Sequence, residues 1–115
     1  WVRSVVRASV ALCNDQVLAR VNGGVAALVR VAAATNCQRK IQVKVGAQGL
    51  TETRVTETPL RGEAMREAAI NNVPLKRINQ IEEIASTMQW LLCDAPDNIT
   101  GQILHLDGGM AKISG

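Results

Sequence analysis

The sequence predicts an α/β fold, in which helices pack on a parallel sheet. Two observations support this prediction: helical spacing over 14–34 precedes an alternating strand at 41–45, and a second helix over 80–94 precedes a short strand around Ile103, Leu104 and Leu106. A helix that leads into a buried strand is a basic unit of α/β folds. The length of 115 residues, with 47% apolar and 20% charged residues, suits one small globular domain.

The N-terminal third is rich in valine and alanine. Residues 1–12 fit either a buried strand or a short helix, which periodicity does not separate. Asn14-Asp15 is a plausible N-cap for a helix that runs to about Ala34. The predicted core face of this helix is Val17, Leu18, Val21, Val25, Leu28, Val29 and Ala32. Gly23-Gly24 weakens the helix interior, by about 1 kcal/mol per glycine, and indicates either close packing of a partner helix or sequence drift.

The middle of the chain predicts a strand followed by two helices. Ile41 to Val45 alternates as a strand with one apolar face. Thr58-Pro59 has the form of an N-cap and first helical residue, and predicts a helix through about Asn71 with Met65, Ala68, Ala69 and Ile70 on its apolar side. Asn79 is the predicted cap of the next helix, whose core side is Ile84, Met88, Leu91 and Leu92.

The C-terminal stretch from Asn98 to Met110 predicts a turn, a short strand and a glycine pair that permits positive φ as the chain leaves the sheet. His105 is the only histidine in the chain. A single histidine on a strand is far more often structural than a ligand or a base. Asp107, just before Gly108-Gly109, is predicted to be a turn-forming carboxylate by the same reasoning.

Charge and cysteine content argue against several classes of function. The net charge is +3, but the basic residues are interspersed with acidic ones and no aromatic residues lie among them, so no nucleic-acid partner is expected. Arginines interrupt the apolar N-terminal third, so no membrane span is expected. Cys13, Cys37 and Cys93 share no metal-site spacing. They predict separate buried or half-buried thiols in a reducing intracellular compartment, cytoplasm or organelle matrix, with no metal site and no disulfide.

Three stretches together carry a family resemblance. Asn98 to Met110 resembles the C-terminal signature of the short-chain dehydrogenase/reductase family, an I-T-G-Q turn, a final strand and a D-G-G exit. Pro74 to Ala85 resembles that family's P-L-x-R-x-G-x-P-E-E-I-A. Val43 to Thr53 resembles its N-x-V-A-P-G-x-x-x-T, with Gln48 in place of the proline. Together the three stretches resemble the C-terminal half of a 3-oxoacyl-reductase-like member.

The resemblance implies the C-terminal half of a Rossmann-type doubly wound parallel sheet, with about three adjacent strands and flanking helices. Family members run to roughly twice this length, and no glycine-rich dinucleotide turn follows a strand here. We therefore expect residues 1–115 to form a single partial domain that lacks the N-terminal dinucleotide-binding half. The resemblance also implies a variable lid over the substrate from Thr51 to Asn72.

The catalytic positions of the family do not carry the catalytic residues. Matching Leu28-Val29-Arg30 to the family's L-T-R places Leu18 where the family has its tyrosine and Asn22 where it has its lysine. The chain contains no tyrosine, so a shifted alignment does not restore the acid. Ser9 is the candidate for the family's serine by local context, although the spacing favours an ordinary strand-end hydroxyl. We therefore predict no catalytic residue.

Cofactor contacts transfer from the family at three positions only, Gly49, Leu50 and Thr53, in the loop that the family closes over the nicotinamide and pyrophosphate. The implied cofactor is NAD or NADP, which we do not expect this chain to bind alone. Specificity for the 2′-phosphate is determined in the other half of the fold.

Two functions follow from these expectations. The first is a catalytically inactive subunit that needs a protein partner, whether a homo-oligomer, a related family chain or a larger assembly, because a three-stranded remnant leaves an unpaired edge and an uncovered apolar face. The second is part of an active NAD(P)-dependent 3-oxoacyl/carbonyl reductase, or of an alcohol or sugar dehydrogenase, whose cofactor turn, tyrosine and lysine come from another segment or chain.

Overall fold

A computed structural model describes residues 2–9, 16–57 and 60–110 of the chain. Strand β1 (Val2–Ser9) is followed by helix α1 (Gln16–Asn36), a short 3-10 turn (Cys37–Arg39) and strand β2 (Ile41–Gln48). Three helices come next, α2 (Arg54–Glu57), α3 (Glu63–Asn71) and α4 (Ile81–Cys93), and strand β3 (Ile103–Leu106) follows them. The order of helices and strands confirms the predicted α/β class.

The three strands form one parallel sheet in the order β1-β2-β3. Val2 lies opposite Ile41 and Ser9 opposite Gln48, so β1 pairs with β2 along its whole length. Gln48 in turn lies opposite Leu106, the last residue of β3. The three strands therefore end at one level, and the residues that follow β2 and β3 leave the sheet side by side.

One face of β2 packs under α1. Val43 and Val45 form a buried cluster with Val29 and Ala33 of that helix, and Ile41, Ala32 and Ile103 lie against it. The predicted core face of α1 was too wide, because Leu28 is 66% exposed. Val29 and Ala33, one turn apart on α1, cover Val43 and Val45 of β2. Leu28 lies outside this contact.

The other face of β2 is polar, but it is also buried. Gln42 and Lys44 are among the largest fully buried side chains, since α4 covers this face of the central strand. The Lys44 ammonium donates to the carbonyl of Leu91 at 3.0 Å, in the last turn of α4. A cation suits the negative end of a helix, where backbone carbonyls lack helical partners. Gln42 Nε2 donates to Asp97 Oδ1 at 3.1 Å in the connection that follows.

The turn before β3 is joined to β2 by three hydrogen bonds. The Val43 N–H donates to the Thr100 hydroxyl at 3.1 Å, and the Gly101 N–H donates to the Val43 carbonyl at 2.7 Å. The Val45 N–H continues the series to Gln102 O at 2.9 Å. Gly101 has a φ of 68°, which favours glycine. The threonine and glycine of this turn thus extend the pairing of β2 and β3 beyond the short strand itself.

Several predicted helix details differ from the structure. Helix α3 begins at Glu63 after the N-cap Gly62, and Thr58-Pro59 lies outside the described residues, as does Asn14-Asp15. None of the nine residues of α3 is buried, so its predicted apolar side does not form core. In α4, Ile84 and Leu91 are buried as predicted, whereas Leu92 is 40% exposed. Cys37 and Cys93 are exposed thiols, not the buried or half-buried ones predicted, and Cys13 lies outside the described residues.

Candidate functional site

The candidate site lies where the strands end, because ligands of open parallel sheets bind at the carboxyl edge. Ser9, Gln48 and Leu106 occupy the same level across the sheet. The three predicted cofactor contacts, Gly49, Leu50 and Thr53, lie just after the last residue of β2, at the carboxyl edge of the sheet. Leu18 and Asn22 lie one turn apart within α1.

Gly49 is in very close contact with the exit from β3. Its N–H donates to the Leu106 carbonyl at 3.0 Å. A Cβ built on Gly49 would lie 2.6 Å from the Cβ and 2.8 Å from the Cα of Asp107. Such distances require the backbone to move, so glycine is needed here for packing between two loops, whatever the loop binds.

The next two residues of the loop, Leu50 and Thr51, are buried. The Leu50 side chain is buried, and its carbonyl accepts the N–H of Asn79 at 3.0 Å. Thr51 is buried as well, and forms a parallel bridge with Asn79. In this conformation Leu50 offers a ligand no side-chain surface. Thr53 is half-buried, and of the three predicted contacts its side chain is the one that remains accessible.

Asn79 does not cap α4 as predicted; Gln80 occupies the N-cap position. Instead Asn79 joins the loop after β2 to β3. Its backbone bonds to Leu50 and Glu52, and its Nδ2 donates to the Leu106 carbonyl at 2.7 Å. The family pattern has glycine at this position, and glycine could not make the last of these bonds. The departure from the pattern was therefore the sequence signal that could have identified Asn79.

The start of α4 is fixed by a separate charged cluster. Glu83 accepts the Gln80 N–H at 2.8 Å, which satisfies one of the free donors at the helix start. The Arg77 guanidinium binds the same carboxylate through both of its oxygens, at 2.6 and 2.8 Å. Hydrogen bonding to Arg77 first, and then to the Gln80 backbone, lowers the pKa of Glu83 to about 2. The carboxylate is therefore ionised throughout the neutral range.

Glu52 is a second charged residue that the sequence did not single out. One carboxylate oxygen accepts from Arg66 Nη2 of α3 at 3.0 Å, and the other accepts from Gln80 Nε2 at 3.1 Å. Its backbone N–H donates to the Asn79 carbonyl at 2.9 Å. The hydrogen bond from Gln80, together with the hydrogen bond and charge of Arg66, lowers the pKa of Glu52. This residue links three segments around the candidate site.

The exit from β3 is a tight turn built on Asp107. The Asp107 side chain is buried and accepts the Gly109 N–H at 2.9 Å, as predicted for a turn-forming carboxylate. Gly108 and Gly109 have φ angles of 63° and 92°, which confirms the predicted glycine pair. His105 Nδ1 lies 3.8 Å from the second Asp107 oxygen, with the imidazole partly exposed. This contact agrees with a structural role for His105.

The comparisons with known proteins place this geometry in a family. A family model described as enoyl-(acyl carrier protein) reductase matches residues 2–111. The chain belongs to the short-chain dehydrogenase/reductase family. Its relatives include the 3-oxoacyl-[acyl-carrier-protein] reductase FabG of Thermotoga maritima, which is 34% identical over 87 residues, covering 76% of this chain and 35% of the relative.

Solved structures show the same short-chain dehydrogenase/reductase fold. The structure of ElxO with NADP bound superposes with a TM-score of 0.86 at 19% identity, covering 96% of this chain and 46% of that one. A short-chain type dehydrogenase/reductase from Mycobacterium ulcerans gives a TM-score of 0.85 at 24% identity, covering 94% and 41%. The Rossmann-type architecture is thereby confirmed. The chain spans less than half the length of these relatives.

Over residues 2–9, 16–57 and 60–110, no helix has the length and hydropathy needed to cross a bilayer. In the same ranges, histidine, cysteine and acidic side chains do not gather in groups of three that could hold a metal ion.

Proposed function

We propose that this chain is a short-chain dehydrogenase/reductase-type subunit that does not catalyse carbonyl reduction and acts by packing against another protein chain. The observation that carries the proposal is the absence of tyrosine from all 115 residues, with Leu18 and Asn22 at the positions of the family's tyrosine and lysine. Both residues belong to α1 and lie four positions apart in it.

The chemistry at these positions explains the expected loss of activity. In the family a phenol donates a proton to the carbonyl as hydride arrives, and an ammonium one turn away lowers the pKa of that phenol and holds the nicotinamide ribose. Neither Leu18 nor Asn22 can perform these roles. Loss of general acid catalysis alone costs about 10²- to 10⁴-fold in rate, and the ribose contact is lost in addition.

The residues after β2 support a second part of the proposal, that the chain alone does not hold NAD or NADP. The Cβ position of Gly49 is blocked by Asp107, and the Leu50 side chain is buried. Of the three predicted cofactor contacts, this leaves the half-buried Thr53 side chain, together with the backbone of the loop, to contact a dinucleotide. These groups do not amount to a dinucleotide site, and we propose that residues 1–115 form a partial domain that depends on another segment or chain for it.

Exposed apolar side chains favour a packing role. On α1, Leu28 and Val31 are 66% and 63% exposed. On the opposite side of the sheet, Ile81 and Trp90 of α4 are 54% and 43% exposed, and Trp90 lines the same cavity as the exposed Leu104 of β3. Within the described residues β1 and β3 each pair on one side only. Uncovered strand edges and apolar patches of this kind are typical of surfaces that another chain covers, here a second copy, a related family chain or a larger assembly.

The deciding experiment measures activity and assembly on the same preparation. Oxidation of NADPH is followed with an acetoacetyl thioester and with a simple ketone, cofactor binding is measured by calorimetry, and native mass spectrometry gives the assembly state. We expect no turnover above a blank, no cofactor binding by the isolated chain, and a 12.3 kDa species found only in complex. Turnover together with cofactor binding by the chain alone would overturn the proposal.

A matched pair of variants separates the missing acid from the missing cofactor site. The double substitution Leu18→Tyr with Asn22→Lys supplies the phenol and ammonium, and Leu18→Phe with Asn22→Lys lacks only the hydroxyl. We expect both to remain inactive, because the cofactor site is incomplete. Activity in the tyrosine variant alone would show a working cofactor site and would leave only the acid as the lost element.

The coverage of the relatives favours one alternative. Because the chain spans 35% of the Thermotoga maritima reductase and 46% of ElxO, it could be one part of an active NAD(P)-dependent 3-oxoacyl/carbonyl reductase or alcohol or sugar dehydrogenase. The cofactor turn, serine, tyrosine and lysine would then come from another segment or chain. Peptide mass spectrometry of the native species tests this: a co-purifying Tyr-x-x-x-Lys peptide from a short-chain dehydrogenase/reductase would establish it.

The exposed thiols of Cys37 and Cys93 support the proposal of a reducing compartment, such as the cytoplasm or an organelle matrix. Labelling of native material with a thiol reagent, without prior reduction, should modify both residues. Failure of both to react until a reductant is added would contradict this placement.

A further inference from the structure

Glu52 lies in the loop after β2 and contacts both α3 and the start of α4. Its carboxylate binds Arg66 of α3 through one oxygen and Gln80, the N-cap of α4, through the other. Its backbone N–H binds the carbonyl of Asn79. Leu50 and Thr53, two of the three predicted cofactor contacts, lie within two residues of it.

Helix α3 has little else of its own to hold it in place. None of its nine residues is buried, and Met65 is 62% exposed. The chain on its C-terminal side, by contrast, is anchored: Val73 is buried, and the Leu75 N–H donates to the Gly108 carbonyl at 3.2 Å. A helix without a buried face, attached to a fixed segment at one end, opens easily unless a specific contact holds it.

We propose that Glu52 is a positioning residue that couples the loop after β2 to α3 and to the start of α4, so that the lid region and the candidate cofactor loop move together. Arg66 provides the contact from the lid side, and its side chain and that of Glu52 are 41% and 44% exposed, so solvent weakens the pair without abolishing it. A partly exposed ion pair of this kind holds α3 in place, and a ligand or partner that displaces α3 can still break it.

The significance of the coupling for ligand entry depends on the proposed function, because the lid is defined by the family resemblance. The coupling itself is independent of any catalytic or cofactor-binding activity. It is therefore tested by measuring opening of α3 directly, and failure of that test would leave the proposal of an inactive subunit unaffected.

The experiment is amide hydrogen exchange by mass spectrometry on the full 115-residue chain, in the assembly in which it is purified. Peptides covering Glu63–Asn71 report the opening of α3, and peptides covering 49–53 report the loop. We expect Glu52→Gln and Arg66→Met each to raise exchange in both regions roughly two- to fivefold. Exchange in the double variant should rise no further than in Glu52→Gln alone, because the contact that Arg66→Met removes is already lost there.

Two controls make the expectation specific. Glu67→Gln changes a different exposed acid on α3, and Arg77→Met breaks the ion pair with Glu83 at the start of α4. Neither should alter exchange in α3. Equal effects of Arg77→Met and Arg66→Met on α3, or unchanged exchange in both Glu52→Gln and Arg66→Met, would overturn the proposal.

A charge swap keeps the proposal testable if a single variant is poorly folded. Glu52→Lys combined with Arg66→Glu restores an opposite-charge pair across the same gap. Exchange in α3 should return toward the wild-type rate in the swapped protein, whereas rates as fast as those of the single variants would contradict a direct coupling.

Discussion

The Cα of Gly49 and the side chain of Asp107 pack so closely that a Cβ on residue 49 would lie 2.6 Å from the Asp107 Cβ. This contact joins the loop after β2 to the turn after β3. Asp107 in turn fixes the glycine turn through its bond to the Gly109 N–H. The candidate site thus rests on the packing of two loops that are distant in sequence.

Gly49→Ala should destabilise the protein by about 1–3 kcal/mol, because the new methyl group overlaps backbone atoms that cannot rotate away. Urea unfolding followed by circular dichroism measures this. Gly24→Ala is the matched control, since a Cβ at Gly24 meets nothing within 4 Å and removes a helix-weakening glycine, for a gain of up to about 1 kcal/mol. A loss of stability in both variants would contradict this account of Gly49.

Asn79→Ala should cost about 0.5–1.5 kcal/mol, the net value of one hydrogen bond. The cost is modest because the Leu106 carbonyl still accepts the Gly49 N–H. Asn79→Asp should be more harmful at pH 7, since it places a carboxylate oxygen against that carbonyl, and the excess loss should fall as the pH is lowered and the carboxylate is protonated. Equal urea midpoints for Asn79→Ala and the wild type would show that the Nδ2 bond is unimportant, and equal midpoints for the two variants at pH 7 would contradict the expected repulsion.

Lys44→Met should destabilise the protein by about 1–3 kcal/mol, because the charged donor to the Leu91 carbonyl is lost while the apolar stem is retained. The Ala95 N–H donates to the Trp90 carbonyl and not to that of Leu91. The Lys44 Nζ therefore caps the Leu91 carbonyl in the last turn of α4. Lys76→Met is the control: Lys76 Nζ bonds to Asn71 O in an exposed position, and we expect a change within about 0.5 kcal/mol. The comparison uses chemical denaturation of both variants.

The Glu83 contribution to stability should be lost in acid. Its pKa falls from 4.5 to about 2 in the folded chain. Between these values the unfolded chain binds the proton more readily, so the contribution is present above pH 4.5 and disappears as the pH falls toward 2. The difference in urea midpoint between wild type and Glu83→Gln should therefore be constant above pH 5 and shrink below pH 4.5, and added salt should reduce it. A midpoint difference that grows as the pH falls would contradict the lowered pKa of Glu83 in the folded chain.

The fold was largely predictable because its signals are local. The alternation of Ile41 to Val45, the helical spacing before Cys93 and the glycine pair after β3 each depend on a few neighbouring residues, and the structure confirms them. The exposure of Leu28 and Leu92 was not predictable in this way, since the width of a helix's buried face depends on how much of the sheet lies beneath it. The sequence pattern identified apolar residues, but not which of them the sheet covers.

The candidate site was predictable only in its position along the chain. The resemblance placed Gly49, Leu50 and Thr53 together, and it placed Leu18 and Asn22 at the catalytic positions, which remains a prediction. The departure from the family's glycine marks Asn79, but the partners of Asn79 and Glu52 were not visible, because Leu106, Arg66 and Gln80 lie up to 28 positions away in sequence. Hydrogen bonds over such separations depend on how the strands and connections are arranged in space.

The sequence by itself determined the family, the α/β class and the absence of a tyrosine acid, since these depend on residue identity and local spacing. The tertiary structure decided that Gly49 faces Asp107, that Leu50 is buried and that Glu52 joins the lid to the loop. The physical reason is that parallel strands bring their carboxyl ends to one edge, where residues distant in sequence compete for the same space and the same hydrogen-bond partners.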